Sequence, residues 1–93
     1  MDGTTTATTT APTADDLREI LAAMIGTTPA EITGDANLVL LGLGSLEMMR
    51  LATRWRRQGL VVEFRDLAAR PTVDAWTELL AAARTRRQAE AGR

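Results

Sequence analysis

The stretch Leu41-Gly42-Leu43-Gly44-Ser45-Leu46-Glu47-Met48-Met49-Arg50-Leu51-Ala52-Thr53-Arg54-Trp55-Arg56-Arg57-Gln58-Gly59 decides the reading of this chain. It enters through Gly44-Ser45, runs without a breaker to Gln58 and stops at Gly59, which predicts a helix over 45–58 with glycine in its usual C-terminal place. At about 100° per residue, Met48, Leu51, Ala52 and Trp55 fall on one stripe and form its buried face. Leu46 and Met49 lie off that stripe and flank Ser45. Large apolar side chains off the core stripe mark either a docking surface beside the serine or a place that the long first loop covers.

Outward from this helix the pattern stays helical. Leu17, Ile20, Leu21 and Met24 keep the i, i+3, i+4, i+7 spacing of one face, with Thr13 as cap and Gly26 as stop, which predicts a first helix over 15–25. The connection from Gly26 to Gly44 is long yet carries Ile32, Leu38, Leu40, Leu41 and Leu43, so it is expected to pack in part on the core. Residues 61–69 read as a strand or as helical turns; a short helix over 64–69 is preferred. Pro71-Thr72 opens a last helix whose buried face is Val73, Trp76, Leu80 and Ala83, with Asp74 suited to its positive start and Arg84, Arg86 and Arg87 to its end. The fold class expected is all-α, a small four-helix bundle with a short third helix and a long first loop. The expected organisation is a Thr/Ala-rich disordered leader over 1–13, one domain over 14–85 and a frayed tail over 86–93.

Composition removes most chemistries. Among 93 residues there is no His, Cys, Lys or Tyr, which excludes a His/Cys zinc site, a thiol nucleophile, a Schiff-base lysine and a Ser-His-Asp relay. No catalytic residue and no metal site is expected. A net charge of −1 and 3% aromatic residues supply neither phosphate neutralisation nor base stacking, so nucleic acid is not an expected partner. No apolar run approaches the roughly 18 to 20 residues of a membrane span, and the expectation is a cytoplasmic monomer. Ser45 on physics alone is a helix-capping serine, at a place where unpaired N–H groups and the helix dipole favour an attached anion.

Asp35-Ala36-Asn37-Leu38 followed by Leu41-Gly42-Leu43-Gly44-Ser45-Leu46 resembles the phosphopantetheine attachment motif of acyl and peptidyl carrier proteins. Met48-Met49-Arg50-Leu51-Ala52, Arg54-Trp55-Arg56, Phe64, Leu67-Ala68 and Pro71-Thr72-Val73-Asp74-Ala75-Trp76 are similar to the aryl carrier domains of siderophore-type nonribosomal peptide synthetases, over about residues 14–83. The resemblance implies a stand-alone covalent carrier and not an enzyme. It implies 4′-phosphopantetheine, taken from coenzyme A, on Ser45 between Gly44 and Leu46. It also implies partner enzymes that dock on Leu46, Met49, Phe64 and Ala68: a phosphopantetheinyl transferase, an adenylating enzyme, and condensation or tailoring enzymes of natural-product biosynthesis. The family usually has Asp before the serine, where this chain has Gly44. Two alternatives stay open: a discrete polyketide or fatty acyl carrier, and a helical interaction module without the arm.

Overall fold

Four helices order the computed structural model, which describes residues 11–91: α1 (Ala14–Ile25), α2 (Ser45–Arg57), α3 (Phe64–Ala69) and α4 (Val73–Ala91). A 3₁₀ turn, Pro29–Glu31, interrupts the α1–α2 connection. The expected leader falls outside the described residues except for Ala11, Pro12 and Thr13. Of these, Ala11 packs against the core, and Thr13 caps α1 by exchanging hydrogen bonds with Asp16 at 3.0 and 3.1 Å.

The core is built from one stripe of each helix. Met48, Leu51, Ala52 and Trp55 of α2 are all buried, as their spacing requires, and so are Val73, Trp76, Leu80 and Ala83 of α4. In α1 the buried residues are Leu17, Leu21 and Ala22; Met24, expected in the core, is exposed, and Ile20 is half-buried. Trp55 and Trp76 meet edge to face, ring centroids 6.1 Å apart at 81°. Trp76 Nε1–H donates to the Leu67 carbonyl at 3.0 Å and so fastens α3 to α4. Thr72 Oγ1 caps α4 by accepting from Ala75 N–H at 3.1 Å.

The α1–α2 connection is long but held at several points. Arg18 Nε–H donates to the Ile32 carbonyl (2.9 Å), Asp74 N–H to the Gly34 carbonyl (3.0 Å), and Leu38 N–H to the Pro71 carbonyl (2.8 Å). Ile32, Leu38 and Leu43 are buried, which meets the expectation that this loop packs; Leu40 and Leu41 are exposed, against it. The reason is local. Asn37 Oδ1 accepts from Val39 and Leu40 N–H like a helix cap, and the turn closes with Leu43 N–H on the Leu38 carbonyl and Gly42 N–H on that of Val39, both at 3.0 Å. This is the glycine-terminated closure of a helical turn, in which the residues joined by the outer bond are also the apolar pair that packs. Leu38 and Leu43 therefore turn inward and Leu40 outward.

Gly42 has φ 116°, a conformation that L-residues rarely adopt, and a Cβ there would touch nothing closer than Ile25 Cγ2 at 3.6 Å. Space is not the constraint; backbone conformation is. Gly42→Ala is expected to cost about 1 kcal/mol or more in urea denaturation, and an unchanged midpoint would show that the turn relaxes freely.

Past the expected domain boundary at 85, α4 continues to Ala91, so residues 86–91 are helical and not frayed. Arg84, Arg86 and Arg87 accordingly lie before the last turn and do not serve its C-terminal carbonyls. The Arg87 guanidinium instead covers the backbone of Gly59, where a Cβ would collide with it. Gly59 ends α2 with the same closure as Gly42, Leu60 N–H reaching the Trp55 carbonyl at 2.8 Å with Leu60 buried.

Candidate functional site

The turn that buries Leu43 delivers the chain to Gly44, whose backbone is extended (φ −93°, ψ 169°) and whose carbonyl accepts the first helical bond, from Met48 N–H at 3.2 Å. Gly44 is thus the N-cap of α2 and Ser45 its first helical residue. The capping role expected of Ser45 falls to a residue with no side chain, so no side chain reaches forward to the N–H groups of the first turn. These donors and the positive end of the helix dipole remain available at the surface. Among the described residues, the one side-chain bond at this terminus runs the other way: Glu47 reaches back, and its Oε1 accepts from Gly44 N–H at 3.0 Å.

Ser45 itself is exposed. It is also the only serine in the chain, which contains no Cys or Tyr. Around it stand apolar side chains that the core leaves out. Leu46, next in sequence, is 55% exposed, and Met49, one helical turn on, is 46% exposed. Just before it, Leu40 is 83% exposed, with Val39 and Leu41 also open. Ala68 on α3 is exposed as well. Phe64, expected in solvent with Met49 and Ala68, is half-buried and packs against the core from the first position of α3. The Val39-Leu40-Leu41 edge escaped the sequence reading because apolarity in the loop was read as burial. The Asn37 to Gly42 turn chemistry is the signal that separates the two.

Residues 15–80 match the family described as the phosphopantetheine attachment site. The chain belongs to that family. This carrier domain is 41% identical over 70 residues to phenyloxazoline synthase MbtB of Mycolicibacterium paratuberculosis, 75% of this chain and 6% of that protein. It is 40% identical over 68 residues to the isochorismatase of Bacillus subtilis, 73% of this chain and 22% of the relative. With enterobactin synthase component B of Escherichia coli it shares 42% over 64 residues, 69% and 22% of the two lengths. The chain therefore spans a small part of each of these relatives.

The helix start suits the family's cofactor, 4′-phosphopantetheine, which a carrier holds through a phosphodiester. An exposed hydroxyl on the first residue of a helix whose N-cap is glycine would place a singly charged phosphate against uncapped N–H groups, the environment helix termini offer to anions. When bound, the cofactor supplies a thiol, a nucleophile that this cysteine-free chain does not have. The four-helix, all-α architecture agrees with a carrier fold. No helix among the described residues is long and apolar enough to cross a membrane.

Proposed function

We propose that Ser45 carries the phosphopantetheine arm and that the arm holds an aryl acid as a thioester, presented to partner enzymes without catalysis by the chain itself. The observation that carries the first half is the single serine, exposed at the uncapped start of α2. In priming, Ser45 Oγ attacks the phosphorus that bears the pantetheine group of coenzyme A, and the new O–P bond replaces the diphosphate linkage. The bisphosphorylated adenosine leaves with the bonding electrons, and the hydroxyl proton passes to a base of the transferase. The chain's own part is to present the hydroxyl clear of the core and to set N–H donors behind the resulting phosphodiester.

The aryl reading rests on relatedness to the aryl carrier class and on a relative named for making a phenyl-bearing oxazoline. A phosphopantetheinyl transferase, an adenylating enzyme and a condensation or tailoring enzyme are the partners this chemistry requires. Their use of coenzyme A and ATP places the work in the cytoplasm. To test it, the primed protein is offered to enzymes that activate benzoic-type acids, aliphatic amino acids or malonyl groups, and thioester formation is followed by intact mass. Faster loading by the first supports the proposal; loading by the malonyl system alone would assign a polyketide or fatty acyl carrier.

Docking is proposed on the exposed Leu46 and Met49 of α2 and Ala68 of α3, together with the half-buried Phe64 at the start of α3. Met49→Asp is expected to keep the melting temperature while weakening at least one partner reaction by roughly 1 kcal/mol or more, as for an apolar anchor inside a charged rim. Phe64→Asp is expected to cost stability by about 1–3 kcal/mol, because it puts a charge where a half-buried ring meets the core. Thermal melts of the two variants separate surface from core. Equal melting temperatures would mean that Phe64 belongs to the docking face alone.

A further inference from the structure

Leu60-Val61-Val62-Glu63 enters the stretch that reads as strand or helix, and no strand lies beside it among the described residues. Burial alternates along it with the period of a strand: Leu60 and Val62 are buried, Val61 is 48% exposed and Glu63 is exposed. Glu63 is itself extended, with φ −96° and ψ 148°. Leu60 N–H is taken by the Trp55 carbonyl, and the Glu63 carbonyl by Asp66 and Leu67 N–H at the start of α3. The groups between them are open. Val61 N–H, Val61 C=O and Glu63 N–H, which an extended backbone directs to one edge, have no backbone partner among the described residues. Such an edge is what an added strand pairs with.

Charge beside the edge selects the occupant. Val61 lines a shallow groove with Gly59 and with Ala83, Arg86, Arg87 and Glu90 of α4. Arg86 and Arg87 are exposed, and neither is in an ion pair among the described residues. Glu90 supplies the one carboxylate of the groove, while Glu63 is held by Arg56 at 3.6 Å. Two arginines against one glutamate leave positive charge in surplus. A second copy would bring its own Arg86 and Arg87 to the same place, and like charges that face one another are unfavourable. We infer that the Val61 to Glu63 edge receives an extended, carboxylate-bearing segment of a partner protein, which adds as a strand and sets its acidic side chains against Arg86 and Arg87. The 13 residues of α2, at about 1.5 Å each, put this edge roughly 20 Å from Ser45 along the helix. A partner held there leaves Ser45, Leu46 and Met49 uncovered, so the edge acts as a tether that does not block the arm.

The test uses the full unprimed chain, isotopically labelled for NMR and titrated at low and high salt with a capped six-residue peptide of alternating valine and glutamate. Two further peptides carry N-methyl groups, one on its valines and the other on its glutamates. An extended peptide presents one edge through each set of amides, so strand addition is lost on methylation of one set and kept on methylation of the other. A fourth peptide has lysine in place of glutamate. Arg86→Gln removes one exposed charge from the groove.

The expected result is a set of peptide-induced shifts on residues 59–64 and on Arg86 and Arg87, with binding lost for one methylated peptide only and for the lysine peptide. Arg86→Gln is expected to weaken binding roughly tenfold at low salt and by less at high salt. Priming of the peptide-bound chain is expected to run at the rate of the free one. No binding, equal loss or equal retention for the two methylated peptides, equal binding of the lysine peptide, or shifts centred on Leu46 and Met49 would overturn the inference. The same shifts growing with protein concentration in the absence of peptide would assign the edge to a second copy and overturn the acidic occupant. A peptide that blocks priming would overturn the tether. Because binding is measured on the unprimed chain, each of these outcomes is independent of attachment at Ser45.

Discussion

Trp76→Ala is expected to leave the domain largely unfolded at 25 °C. The indole is fully buried, meets Trp55 edge to face at 6.1 Å, and gives the bridge between α3 and α4 through its 3.0 Å bond to the Leu67 carbonyl. Truncating a core tryptophan costs about 3–5 kcal/mol in lost burial and cavity. Stranding a buried carbonyl adds roughly 1–3 kcal/mol. A domain this small has a total stability of a few kcal/mol, at or below the usual range of about 5–15 kcal/mol. The loss therefore meets or exceeds what there is to lose. Trp55→Ala removes a comparable ring whose indole makes no hydrogen bond among the described residues, so it should be the milder of the two. Trp76→Phe keeps an aromatic ring but not the donor. Urea denaturation followed by far-UV circular dichroism should rank the variants wild type, Trp76→Phe, Trp55→Ala, Trp76→Ala. A Trp76→Ala protein with a wild-type midpoint would contradict the packing described for α3 and α4.

How far the sequence could be read depended on whether one residue or a group of residues set the outcome. The stripes Met48, Leu51, Ala52, Trp55 and Val73, Trp76, Leu80, Ala83 were legible because each helix buries one side and large side chains mark it without ambiguity. The short helix α3 was legible too, although periodicity alone did not distinguish it from a strand. In α1 the same spacing rule put Met24 inside, whereas Ala22 takes its share of the core. The α1 face meets the 3₁₀ turn and α4 together, and tertiary packing rotated the buried arc away from the last expected position.

Loop and terminus were harder, since hydrophobicity does not say which way a turn points. Asn37 and Gly42 set that direction, burying Leu38 and Leu43 and exposing Leu40. Arg84, Arg86 and Arg87 suit the end of a helix, yet α4 runs on to Ala91 and the Arg87 guanidinium lies over Gly59. At the site, Ser45 was found by motif and helix start. Its structural position differs by one residue from a cap, because Gly44 already supplies the extended conformation and Glu47 supplies the returning bond.

Ser45→Ala is expected to abolish priming altogether while leaving the fold in place. The side chain is exposed and provides no cap, so its loss should change stability by no more than about 0.5 kcal/mol, as for surface substitutions generally. Chemically the substitution is absolute, because no other serine exists in the chain to take the phosphoryl group. The variant should show wild-type circular dichroism, an unaltered mass after incubation with coenzyme A and a transferase, and no thioester with any activated acid. A Ser45→Ala protein that still gains the group would move the attachment to a threonine and detach the function from the start of α2.

The most direct measurement is mass spectrometry of the wild-type protein after incubation with coenzyme A and a broad-specificity phosphopantetheinyl transferase, first intact and then as peptides. A carrier built as described gains one phosphopantetheinyl unit, and fragment ions place it on Ser45 within the segment Leu43-Gly44-Ser45-Leu46. No gain with several transferases, or a gain that maps outside that segment, would contradict the assignment of Ser45 as the carrier's attachment point.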